Sequence, residues 1–237
     1  MWPPDYQIDE QIFRLYPGYR RGLVLARNLR NGPSPAALSG ELRQQEAALR
    51  AELPANPAEH PRIAAWREAF RRFGARPSDF RSSIEALARR VARGDALPSI
   101  NALVDIGNLV SIRYLMPVGA HPVPEASEAL HLRIAAPGDR FLPPDRAPAE
   151  SPEATEVVFA QGQSILTRRW TWRQAALTLT LPETTAVFFN LDALACVPQD
   201  TLHAAISDVV ALVRTHCGGE SQTMVLDAQR PRWKSEG

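Results

Sequence analysis

Lysine is nearly absent from this chain: Lys234 is the only one among 27 lysines and arginines in 237 residues. Arginine is the default cation, so an arginine-rich stretch must be weighed as an ordinary solvated face before it is read as a binding surface. Long apolar runs are missing as well. No stretch approaches the roughly 18 apolar residues of a membrane-spanning helix, and the opening MWPPDYQIDE lacks the basic and then apolar segments of a secretory signal. A cytoplasmic protein without a membrane partner is expected. Cys196 and Cys217 are the only cysteines and have no metal-ligand spacing, which points to a reducing compartment and two buried structural thiols. His60, His121, His131, His203 and His216 are scattered with no HExxH-type cluster, so no metal site is expected. Nucleophile elbow, P-loop, dinucleotide glycine fingerprint and paired-carboxylate motif are also missing.

What remains is 45% apolar and 22% charged, enough for a substantial core, with a formal net charge of +1. That balance hides an asymmetry. Between Arg62 and Arg93 nine arginines face Glu68, Asp79 and Glu85, so nine minus three leaves +6 locally. The cluster is a candidate phosphate-binding surface, including Arg71, Arg72, Arg89 and Arg90, or equally a pair of solvated helix faces.

Periodicity supplies the elements. YRRGLVLARNL reads as a short buried strand around Leu23, Val24 and Leu25. PAALSGELRQQEAALRAEL is a helix ending before Pro54, and HPRIAAWREAFRRFG is another, with Trp66, Ala69, Phe70 and Phe73 on one stripe and Gly74 as stop. In SSIEALARRVARG, Ser82 and Glu85 form a capping box ahead of inward Ile84, Leu87, Ala88 and Val91. The next helix runs from about 100 to 115 and ends at Pro117; Leu103, Ile106, Val110 and Tyr114 make its apolar stripe, widened by Ile100, Val104 and Ile112. Beyond residue 122 the period changes to two. LHLRI is a half-buried strand, residues 143–155 form a proline-rich loop, and EVVFAQGQSILTRRW is a hairpin turning at QGQ. Two more strands are expected around Leu177 and Leu179 and around Val187, Phe188 and Phe189, followed by a helix over 200–215 capped at CGGE. The sum is one α+β domain over 1–219, helices packed on a largely antiparallel sheet, with a polar flexible tail over 220–237.

Two stretches stand out. Asn101, Asp105 and Asn108 share one side of an otherwise apolar helix, and a polar stripe there must be hydrogen-bonded, either within the protein or to something entering a cavity. RRWTWRQ interleaves Arg168, Arg169 and Arg173 with Trp170 and Trp172. That combination suits an unpaired nucleotide end, where bases stack on aromatics and guanidinium groups grip phosphate. Equally, two tryptophans at i and i+2 can be one packed face of a strand, with the arginines solvated.

The series FRSSIEALARR, LPSINALVDIGNLVSIRYLMPVGAHP, LHLRIAAPGDRF, ILTRRWTWRQ and LTLPETTAVFF, in order over roughly 60–215, resembles freestanding relatives of the B three/four domain of the bacterial phenylalanyl-tRNA synthetase beta subunit. VDIGN and RRWTWRQ are the most specific parts. In the synthetase this domain is an editing module that hydrolyses tyrosine wrongly esterified to tRNA. The resemblance implies helices packed on an antiparallel sheet with a pocket between them, no cofactor, and the aminoacylated acceptor end of a tRNA as partner. VDIGN resembles the family's VDVTN, so Asn108 falls on the asparagine lining the editing pocket and Asp105 on its aspartate. Pro117 matches the proline of the family's GQPMH, which puts Gly119 where the pocket histidine stands, with His121 two residues on. ETTAVFF resembles the family's ETTNVLLE, placing Asn190 where a glutamate recognises the tyrosine hydroxyl. The implied function is trans-editing deacylation; a noncatalytic module keeping an inherited pocket is the alternative. On the first reading Asn108 and His121 are the catalytic candidates, Asn101, Asp105, Gly119, Asn190, Trp170 and Trp172 bind substrate, and Arg71, Arg72, Arg89, Arg90, Arg168, Arg169 and Arg173 bind tRNA.

Overall fold

A computed structural model describes residues 5–123, 128–145 and 147–234. Arg146 of the expected proline-rich loop and residues 235–237 of the expected tail lie outside them. In chain order the elements are β1 (Tyr6–Ile8), α1 (Glu10–Leu15), β2 (Arg20–Arg27), α2 (Ala36–Glu52), α3 (Pro61–Arg72), α4 (Ser83–Ala92), α5 (Ala102–Tyr114), β3 (Val118–Pro122), β4 (Leu130–Ile134), β5 (Arg140–Phe141), β6 (Val157–Gln161), β7 (Ser164–Arg168), β8 (Arg173–Gln174), β9 (Ala186–Ala193), α6 (Gln199–His216), β10 (Glu220–Leu226) and β11 (Arg232–Trp233).

The strands form two sheets. The smaller, in the order β10-β2-β9-β3, is antiparallel throughout; the larger runs β11-β1-β4-β6-β7-β5 with β8 on β7, and its β1–β4 and β5–β7 pairs are parallel. Alternation sorts the side chains of the smaller sheet onto two buried faces. Val24 and Ala26 of β2 and Val187, Phe189 and Leu191 of β9 meet α2, α5 and α6, whereas Leu23, Leu25 and Phe188 face the larger sheet and join Trp66 and Phe70 of α3. With both faces covered, β2 and β9 read as near-continuous apolar runs, and a polar residue inside either has to be partnered within the protein.

Helix termini follow local chemistry. Ser82 Oγ accepts from Glu85 N at 3.4 Å, but the Glu85 carboxylate does not return to the cap; it is buried and held by Arg67 at 2.7 Å and Arg89 at 2.9 Å, so only half of the expected capping box forms. At the end of α6, Gly219 takes φ +74° with the Arg27 carbonyl 2.1 Å from where a Cβ would stand, so only glycine turns the chain tightly enough to lay β10 along β2.

Several expectations need correction. The stretch 220–233 is not a loose tail: β10 pairs with β2 over seven residues and β11 with β1. Their polar composition reflects an edge strand with one face in solvent. Leu177 and Leu179 belong to a short 3-10 turn and its cap, with Leu177 57% exposed, and Ile100 precedes α5 at 59% exposed instead of widening its buried stripe. Cys217 is buried, and burial pushes its thiol up to about 11, but Cys196 is exposed.

Candidate functional site

A cavity of about 200 Å³ opens where α5, the edge strand β3, β9 and the turn after β7 converge. Its depth is built by the alternation described above. Asn190 and Asp192 follow Phe188 on the face of β9 turned toward the larger sheet; Arg21 of β2 lies opposite Asp192, and Gly119 of β3 lies opposite Asn190. All four line the cavity, as does His121.

Arg21 is 1% exposed and completely engaged. Its Nε and Nη2 reach Asp192 Oδ1 at 2.8 and 2.7 Å, Nε also reaches the Tyr19 hydroxyl at 2.9 Å, and Nη1 donates to the Tyr6 hydroxyl at 2.6 Å. Tyr19 and, at 3.3 Å, the Trp170 indole also donate to Asp192 Oδ1. Burial opposes the guanidinium charge, but Asp192 restores it and the pKa ends above its ordinary range. Such a pair stands only because each partner satisfies the other; removal of either leaves a buried charge. Burial also drives the Tyr6 phenol upward, against the pull of Arg21, so Tyr6 keeps its proton and donates it to Asn190 Oδ1 at 2.9 Å.

On β3, an ideal Cβ at Gly119 would stand 3.1 Å from His121 Nε2, so the imidazole lies over Gly119 in the space a side chain there would fill. The ring meets Phe159 edge-on at 5.2 Å. Burial, reinforced by the Arg21 charge, lowers the His121 pKa to about 3, so the ring is neutral. Its Nδ1 lies 3.3 Å from Gln174 Nε2, which also donates to the Ala120 and Thr178 carbonyls. An amide nitrogen cannot accept, so the imidazole proton belongs on Nε2, over Gly119. The buried hydroxyls of Thr167 and Thr171, both in the cavity wall, have no hydrogen-bond partner among the described residues.

The three polar residues of α5 divide. Asn108 is half-buried and lines the cavity from the helix side; α5 packs on the face of the smaller sheet opposite Asn190, and the cavity reaches both by wrapping around the β3 edge. Asn101 and Asp105, nominated with it, do not line that cavity and are engaged within the protein. Asn101 caps α5 by accepting from Val104 N at 3.1 Å and donates to the Thr180 carbonyl at 2.8 Å. Asp105 accepts from Ser34 Oγ at 2.5 Å, Ser99 Oγ at 2.6 Å and Ile100 N at 3.1 Å.

RRWTWRQ follows neither of its two expected forms. Arg169 and Trp170 take left-handed φ of +46° and +63°, turning β7 back into β8. Trp170 lines the cavity but is 1% exposed, met edge-on by Tyr16, Tyr19 and Trp66, which leaves no face for a base. Trp172 also lines the cavity, with the Arg169 guanidinium 4.6 Å over its ring and Phe80 at its edge. Arg168 is buried in ion pairs with Glu156 and Glu150, and Arg169 sits 3.5 Å over Phe80. Both are buried; Arg168 is fully engaged by the two carboxylates, whereas Arg169 Nη1 has no hydrogen-bond partner among the described residues. Arg173 is half-buried, pairs with Asp145 at 2.8 Å and is the one arginine among the seven nominated for tRNA that lines the cavity. Arg89 is committed to Glu85; Arg71 and Arg72 are exposed beside Glu68, and Arg90 is exposed with Nε on the Ala96 carbonyl at 2.8 Å. The arginine-rich helices therefore hold three freely exposed members of the expected set, away from the cavity lining.

Sequence reasoning missed Tyr6, Tyr19, Arg21, Thr167, Gln174 and Asp192. A signal was present for two of them: Arg21 and Asp192 interrupt apolar strands on the same alternation as Leu23 and Asn190, where an unpaired charge cannot stay. Among the described residues no three histidine, cysteine, aspartate or glutamate side chains come together as metal ligands, and no helix is long and apolar enough to cross a membrane.

The B3/4 domain family matches residues 65–218. No curated protein matches the chain. Among solved structures, the N-terminal fragment of the phenylalanyl-tRNA synthetase beta-subunit from Pyrococcus horikoshii is similar at 10% identity with a TM-score of 0.43; the similarity covers 91% of this chain and 49% of that one, so the chain spans about half the length of that fragment.

Proposed function

Because this chain belongs to the B3/4 domain family, we propose that it is a trans-acting deacylase that hydrolyses the ester of a misacylated tRNA at the cavity beside β3. One observation carries the reading: Gly119, His121 and Asn190, nominated from the aligned stretches, lie together on one face of the smaller sheet at the cavity, although Asn108 borders it from the opposite face, against the expectation that Asn108 and Asn190 share one face. An aminoacyl ester is already activated, so its hydrolysis requires a positioned water more than a protein nucleophile, and the terminal ribose hydroxyl of the tRNA can assist the proton transfer. Holding the reacting groups in register contributes several kcal/mol of barrier reduction by itself. Asn108 at the outer wall orients water or the ester carbonyl, and the His121 Nε2 proton supplies a neutral donor deeper in. The partner on this reading is the aminoacylated acceptor end of a tRNA, and the cytoplasm is where the protein works.

The noncatalytic reading has its own support. A histidine whose pKa lies near 3 is a poor general base at neutral pH. The experiment that separates the two is deacylation of a full panel of misacylated tRNAs by the purified protein. Release of an amino acid above the spontaneous rate supports the enzyme; tRNA binding with no release from any member leaves the binding module.

A further inference from the structure

The depth of the cavity carries information about what it receives, because one chain of hydrogen bonds there has only one possible direction. Arg21 has donors and no acceptor, so its 2.6 Å contact with Tyr6 consumes a lone pair of the phenol oxygen. The phenol is protonated, and its remaining hydrogen points along the 2.9 Å contact to Asn190. Only an amide oxygen can accept it. The side-chain orientation of Asn190 follows from this logic and not from a choice between two atoms of similar size. Its amide nitrogen is left with no acceptor among the described residues, on a side chain 3% exposed that lines the cavity.

We propose that Asn190 is a specificity-determining donor, locked by Tyr6 and Arg21, and that the ligand group received beside it carries an uncharged hydrogen-bond acceptor such as a carbonyl, ether or ring nitrogen. The inference rests on the aminoacyl-ester reading for the rest of the ligand. His121 adds to it, since its proton lies on Nε2 over Gly119, directly across the strand pair from Asn190. Asp192 excludes a carboxylate ligand. It stands two residues along the same face, and although Arg21 neutralises it and four donor contacts fall on its Oδ1, a second carboxylate beside it would be repelled.

The test uses binding, so that it does not depend on hydrolysis. Three nonhydrolysable 3′-amido-3′-deoxyadenosine conjugates differ only in the ring of the side chain: 4-pyridylalanyl presents an acceptor, phenylalanyl presents neither, and 4-aminophenylalanyl presents a donor. A buried donor left unpaired discriminates strongly against ligands without its partner, so the wild type should bind the pyridyl conjugate about tenfold or more tighter than the other two. Tyr6→Phe frees the amide to rotate and should bring the three affinities to within about twofold of one another. Asn190→Leu removes the donor without adding a charge and should erase the pyridyl preference while the phenylalanyl conjugate still binds, a result that a misfolded protein cannot give. Equal affinities in the wild type, a preference for the aminophenyl conjugate, or a pyridyl preference that survives Tyr6→Phe would overturn the proposal. Pyridyl preference without hydrolysis of any ester would remove the deacylase reading and leave this inference intact. Ester hydrolysis without that preference would do the reverse, and failure of all three conjugates to bind removes both.

Discussion

The buried imidazole of His121 makes stability depend on pH in a direction that can be calculated. In the unfolded chain the ring titrates near its ordinary 6.5, whereas in the folded protein burial and Arg21 hold it near 3. Between those values the unfolded state carries a proton that the folded state refuses, so stability rises with pH and falls as the solution is acidified. At 1.36 kcal/mol per unit, with the ring half-protonated at each end of the window, acidification from pH 6.5 to 5 removes about 1.6 kcal/mol, and continuing to pH 3 brings the loss to about 4 kcal/mol. Other groups titrate in the same range, so the informative quantity is a difference between two proteins. His121→Gln keeps an uncharged polar group of similar reach and has no proton to refuse. Urea unfolding at pH 7 and pH 5 should therefore show the wild type losing about 2 kcal/mol more than the variant, an amount readily measured against typical domain stabilities. Nitrogen chemical shifts of the ring should remain those of the neutral, Nε2-protonated form at pH 5. Parallel losses in the two proteins, within about 0.5 kcal/mol, would show that the ring protonates where it sits and would refute both the burial argument and the tautomer built on it.

Other perturbations test the rest of the site. Arg21→Met leaves the Asp192 carboxylate buried without its counter-charge and should cost about 3 to 5 kcal/mol in denaturant unfolding; adding Asp192→Leu should recover more than half of that loss, and no recovery would mean that the pair is not the cause. Asn108→Ala should slow deacylation by roughly one to three powers of ten with tRNA affinity little changed, so a parallel loss of both in a binding titration would assign Asn108 to binding alone. Asn101→Ala removes a helix cap and a buried bond to Thr180, so it should lower stability by about 1 to 3 kcal/mol while the folded fraction retains its kcat/KM; a selective fall in kcat/KM would return Asn101 to the site. If Arg71, Arg72, Arg90 and Arg173 each meet a phosphate, log K for tRNA should fall with log salt with a slope of about three to four, and a flat dependence would exclude phosphate-driven binding.

The helices were legible in the sequence because burial imposed a periodicity on them, and β2 and β9 because burial on both faces makes them continuous apolar runs. Trp66, Ala69 and Phe70 mark the inner face of α3, and the unbroken LVLA marks β2. The edge strand β10 was not legible, since four polar residues in ESQTMVL face solvent or lie at the margin and carry no apolar period. The site was legible in part. Gly119, His121 and Asn190 could be aligned with a family pattern, whereas Tyr6 comes from a strand of three residues, too short to show a period. RRWTWRQ was misread for a local reason. Alternation of tryptophans suggested an extended strand, but two consecutive left-handed residues change which way each side chain points, and neither residue is a glycine to announce the turn. Arginine number was equally misleading, because the acidic partners that absorb Arg168 lie 12 and 18 residues away in sequence and only folding brings them together.

The wiring of the cavity also sets when it can come into being. Tyr6 meets Asn190 across 184 residues and Arg21 meets Asp192 across 171, while β2 has β9 and β10 as its only neighbours in the smaller sheet. As the chain leaves the ribosome, β2 emerges before β9 and β10, with a guanidinium that has no counter-charge and with both strand edges open. Contacts of such separation carry a large loop-closure cost and form slowly. Helices α2 to α5 can take shape meanwhile, but they have no completed sheet to pack on until β9 arrives. Waiting edges of this kind are where pairing with the wrong partner begins. A nascent chain stalled before β9 lacks Asn190 and Asp192, and with them the acceptor of the Tyr6 proton and the counter-charge of Arg21.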